Sequence, residues 1–84
     1  MIDWREQADH LIEEFNLCVR AQPKGNAAEV QMEKDEVARW ATHLATQRSW
    51  GSELEIAEAC HQLESRLDHL KTKLILEILK HGTV

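Results

Sequence analysis

Eighty-four residues, 43% hydrophobic and 30% charged, fit one folded domain and are too apolar for a disordered chain. Fifteen acids against ten bases give a net charge of −5, which disfavours a sequence-independent grip on phosphates. Three glycines, one proline and no tyrosine argue against a β fold, and the abundance of Ala, Leu, Glu, Gln, Lys and Arg argues for helix.

The opening stretch, MIDWREQADH, lacks the basic region and apolar run of a secretory leader. Asp3 is a good N-cap, and Glu6 three residues on makes a capping-box-like pair. The first helix is expected over about 4–21. Its apolar stripe is Trp4, Ala8, Leu11, Ile12, Phe15, Cys18 and Val19, at spacings of 3 and 4. Leu17 lies off the stripe. Arg5 and Asp9, four apart on the far side, are set to pair weakly.

QPKGN, residues 22–26, stops this helix, because Pro23 cannot continue the hydrogen-bond ladder and Gly25 permits a left-handed turn. Asn26 caps the second helix, with Glu29 three residues later. That helix is expected over about 27–47. Val30, Val37, Ala41 and Leu44 form a thin stripe, flanked by Ala38 and Ala45, with Trp40 on one edge. Lys34 falls in the stripe and is expected to bury its stem and reach water with its amine.

RSWGSE, residues 48–53, joins the second helix to the third. Ser52 is the expected cap, with Glu55 as its reciprocal partner. Trp50, just ahead of Gly51, has two readings. It can fold back on Ile56 as a staple-like plug, or stay outside as an anchor for another protein. The third helix is expected over about 53–80, with Gly82 as its stop. Ile56, Cys60, Leu63, Leu67, Leu70 and Leu74 alternate at spacings of 4 and 3, the seam of a coiled coil. Beyond the seam, LILEIL is apolar almost all round, and such a segment is normally covered on several sides. The fold expected is thus an all-α three-helix bundle of antiparallel neighbours with a long, self-associating C-terminal helix. No apolar run is long enough to span a membrane.

Motifs for chemistry are sparse. Glu58 and His61 form one Glu-x-x-His pair, whereas a di-iron bundle uses two plus further carboxylates, and this pair lies opposite the Leu63/Leu67 seam. Arg39 and His43 lack a second base or a phosphate cradle. The five histidines show no structural zinc spacing. No Ser-His-Asp elbow, phosphate loop or Cys-x-x-Cys is present, so no enzyme, cofactor or metal role is expected. Cys18 and Cys60 fall on apolar faces and suit a reducing cytoplasm. Lys71, Lys73 and Lys80 are placed to complement the dipole of the third helix.

A chain this small gains stability from dimerising or docking. Short, acidic, helical proteins with surplus apolar surface occur among secretion chaperones, antitoxins and phage-encoded inhibitors, including anti-CRISPR proteins. The leading expectation is a non-enzymatic binder, a homodimer that modulates or inhibits a protein partner. Its contact residues are Trp50, Leu54, Ile75, Leu76 and Leu79, the apolar residues that the stripes leave over. The alternative is a helical dimeric regulator linked to nucleic acid, either as a binder or as an acidic mimic.

Overall fold

The computed structural model describes residues 2–20 and 28–81. It holds three helices, α1 (Trp4–Arg20), α2 (Ala28–Trp50) and α3 (Glu53–His81), and each packs on the other two. There is no strand among the described residues. The expected turn at 22–26, the Asn26 cap and the Gly82 stop lie outside the described residues.

Cross-helix contacts define an up-down-up arrangement. Asp9 of α1 meets Arg48 near the end of α2, at 2.7 Å, while the carbonyl of Val19 meets Lys34 near the start of α2. The two helices are therefore antiparallel. Trp4 meets His61 and Glu14 meets Lys71, so α1 and α3 run the same way. The molecule measures 42 × 21 × 16 Å, about the length of α3 alone at ~1.5 Å per residue.

The core follows the seams. Ile56, Cys60, Leu63, Leu67, Leu70 and Leu74 of α3 are all buried, as are Val30, Val37, Ala41 and Leu44 of α2. From α1 come Ala8 and Leu11, with Trp4, Ile12, Phe15 and Cys18 packed at the edge. Ala59, beside the seam, is buried as well, and its small side chain permits a close helix approach. Val19 is exposed despite lying on the stripe, because it sits in the last described turn of α1. No polar or charged residue is buried among the described residues.

The caps act as local physics requires. Asp3 Oδ1 accepts from the backbone N–H groups of Arg5 and Glu6. At α3 the box is fully reciprocal: Glu55 N–H donates to Ser52 Oγ at 3.3 Å, and Ser52 N–H donates to Glu55 Oε1 at 3.2 Å. Ser52→Ala removes that acceptor and lowers stability by about 0.5–2 kcal/mol. Urea unfolding checks this as a lower midpoint at unchanged m-value, with Ser52→Asp retaining most of the midpoint.

Two local expectations are corrected. Helix α2 runs to Trp50, three residues beyond Gln47, because Gly51 N–H still donates to the Gln47 carbonyl at 2.7 Å. A Cβ at Gly51 would lie 2.9 Å from that same oxygen, so the turn takes the residue without one. Asp9 pairs with Arg48 and not along its own helix with Arg5: Arg48 Nε and Nη2 reach its two carboxylate oxygens at 2.7 and 2.9 Å, a bidentate contact. Lys34 is half-buried with its amine at the surface, where it also donates to the Val19 carbonyl, 3.2 Å away, near the end of α1 where helix carbonyls lack N–H partners.

Candidate functional site

Trp50 is not a plug. As the last residue of α2 it points away from the core and is 87% exposed, while Ile56 is fully buried. Leu54, on the first turn of α3, is 78% exposed beside it in sequence. Ile75, Leu76 and Leu79 are exposed too. The five candidates therefore all face solvent, but they form two groups. Leu54 and Leu76 are 22 residues apart, about 33 Å along α3, so no single small contact spans both.

The first group is the strip Ile75, Leu76 and Leu79. Burial on α3 ends at Leu74, and none of residues 75–80 is buried. Ile78 borders the strip at its core side. Lys71 and Lys73 do more than complement a dipole here. Lys71 Nζ donates to Glu14 Oε2 at 3.1 Å, and Lys73 pairs with Glu33 at 3.3 Å. The hydrogen bond to Glu14 raises the pKa of Lys71. Both pairs are half-exposed and still reach solvent, so each is worth up to about 1 kcal/mol and mainly sets register.

The second group, Trp50 and Leu54, stands at the opposite end, where α1 starts, α2 finishes and α3 starts. Sequence reasoning missed what lies beside it. Trp40, His43, Gln47 and Trp50 are spaced 3, 4 and 3, which places them along one face of α2. Facing Trp40, His43 and Gln47 across a groove of about 290 Å³ are Glu55, Glu58, Ala59 and Gln62 of α3. The Trp40 ring meets His43 edge-on, with centroids 5.8 Å apart. It also carries the Arg66 guanidinium at 6.0 Å, and Arg66 and Arg39 both pair with Glu36. Arg39 and His43 thus belong to a packing cluster around Trp40.

Charge is polarised between the two ends. Residues 3–12, 41–50 and 53–62 hold six acids (Asp3, Glu6, Asp9, Glu53, Glu55, Glu58) against two bases (Arg5, Arg48). That end carries −4 of the net −5. Spread along the chain these acids look well mixed with bases, and only the up-down-up packing gathers them.

The nucleophiles and metal donors are not gathered. Burial pushes the Cys60 thiol up, with Glu64 acting in the same direction, and burial pushes Cys18 up against the opposing pull of Lys71. The thiolate is the reactive form, so both are poor nucleophiles at neutral pH. No group of three or more His, Cys, Asp or Glu among the described residues could hold a metal ion. Glu58 and His61 are both exposed, and the His61 ring packs on Trp4 at a tilt of 59° with centroids 5.5 Å apart. No described helix is long and apolar enough to cross a membrane. No family model, curated protein or solved structure matches the chain.

Proposed function

We propose that the protein is a non-enzymatic binder that modulates or inhibits a protein partner by occupying its surface, as phage and mobile-element inhibitors do. The observation that carries this reading is the strip Ile75, Leu76 and Leu79, left in solvent although the core closes at Leu74. Leaving several large aliphatic side chains in water at one place forgoes about 1.5–3 kcal/mol for each, a loss that docking recovers. With no partner present the same strip pairs with a second copy of the chain, so the free protein is a homodimer. Two free thiols suit a reducing cytoplasm.

An affinity pull-down from native lysate at moderate and high salt tests the reading. Contacts through apolar side chains are weakly salt-dependent, whereas charge-driven binding weakens steeply. One protein retained at high salt, and lost when the strip is mutated, supports the binder. Retention of nucleic acid that is lost at high salt favours the regulator reading instead.

A further inference from the structure

We propose that the groove lined by Trp40, His43, Gln47 and Glu58 takes a basic segment of the partner protein, with an arginine or lysine side chain seated between the Trp40 indole and Glu58. This inference rests on the protein-binding reading but concerns the end of the bundle opposite the Ile75–Leu79 strip.

The chemistry of the groove selects a cation. An indole face attracts a guanidinium or ammonium group through its ring quadrupole. Trp40 demonstrates the preference within this chain, since the Arg66 guanidinium already lies 6.0 Å from its centroid. Trp50, three residues past Gln47 on the same face of α2, offers a second indole beyond the groove, 87% exposed. Glu58 lines the groove and has no hydrogen bond or ion pair among the described residues. Glu55 spends Oε1 on the Ser52 cap and keeps Oε2 for a ligand. A groove of about 290 Å³ is below the usual range for a drug-sized molecule and suits one long side chain.

The surroundings select a protein over a small amine. The excess of four negative charges covers the whole end of the bundle, well beyond the groove. A field of that extent steers a basic macromolecular surface and repels nucleic acid. Leu54 and Trp50, both almost fully exposed, offer apolar contact next to the charges. A basic segment that carries an apolar residue beside its arginine or lysine complements both features.

The test uses the whole chain labelled with ¹⁵N and three helical peptides of equal length. They share apolar positions and carry Arg, Gln or Glu at the polar ones. Each tryptophan gives its own indole N–H signal, so Trp4, packed against His61 at the α1–α3 contact, is an internal control. The expected result is movement of the Trp40 and Trp50 indoles and of the Gln47 and Glu58 amides with the Arg peptide, while Trp4 stays still. The Gln peptide binds at least tenfold more weakly. Glu58→Lys weakens the Arg peptide at least tenfold with an otherwise native spectrum. Equal binding of the Arg and Gln peptides overturns the inference, as does a lack of movement with all three. Movement confined to Ile75–Leu79 overturns it too, while leaving the protein-binding reading standing. A DNA duplex that moves the same indoles overturns it in favour of nucleic acid.

Discussion

Replacing Leu63 by alanine lowers the unfolding free energy by about 2–5 kcal/mol and the melting temperature by about 10–30 °C. Leu63 is fully buried at the middle of the α3 seam, with Cys60 before it and Leu67 after it, so little can collapse into the space left by the lost atoms. A domain of this size has about 5–15 kcal/mol of stability in total, so the loss is a large fraction of it. The thin, alanine-rich stripe of α2 makes the dependence sharper, because the buried Ala41 and Ala59 contribute little apolar area themselves. Leu54→Ala is the matched control. It removes the same atoms from a side chain that is 78% exposed, and stability stays within about 0.5 kcal/mol. Thermal unfolding followed by circular dichroism checks both, and similar losses at the two positions would contradict the assignment of the seam as the core.

The contrast between Leu63 and Leu54 is legible in the amino-acid sequence, because a seam of 4 and 3 spacings identifies its own buried face. The α3 cap is equally legible, since Ser52 and Glu55 need only each other. What the sequence conceals depends on register between helices. Trp40, His43, Gln47 and Trp50 show their shared face in their spacing. That this face borders a groove follows only from its placement against Glu55, Glu58 and Gln62, on another helix. The same holds for Lys34, whose partner at Val19 is 15 residues away and reachable only across the antiparallel α1–α2 pair. Trp50 is ambiguous in sequence for a different reason. Gly51 marks a turn in either case, and whether the helix includes the residue before it rests on one hydrogen bond to the Gln47 carbonyl.

The two ends of the bundle are chemically unlike. The end bearing Trp50 combines aromatic surface with most of the net negative charge. At the other end apolar residues of α3 stand among lysines that are paired with Glu14 and Glu33. A surface whose charges are already neutralised has little long-range selectivity, and its association rests on buried area. An unneutralised surface steers a partner from a distance and discriminates by charge. One chain can therefore use the acidic end to choose its partner and the apolar strip to hold a partner or a second copy.

On the proposed binder reading, combining Leu76→Glu with Leu79→Glu weakens partner binding at least a hundredfold and leaves the free chain a monomer. The magnitude follows from two terms. Each leucine forfeits the exposed share of the about 1.5–3 kcal/mol that full burial is worth, about 2–4 kcal/mol for the two together, and each new carboxylate must be desolvated against an apolar neighbour. A hundredfold change corresponds to about 2.8 kcal/mol, which the first term alone reaches for two residues. Folding is spared, because Leu76 is half-exposed and Leu79 is 77% exposed, while the buried seam that ends at Leu74 is untouched. Sedimentation velocity reads the monomer, the lysate pull-down reads the partner, and the melting temperature confirms an intact fold. Trp50→Ala run beside it separates the two ends, since it weakens the partner complex and leaves the homodimer in place. If the double variant keeps both the dimer and the partner, the strip is not a contact surface, and the apolar side chains beyond Leu74 need another explanation.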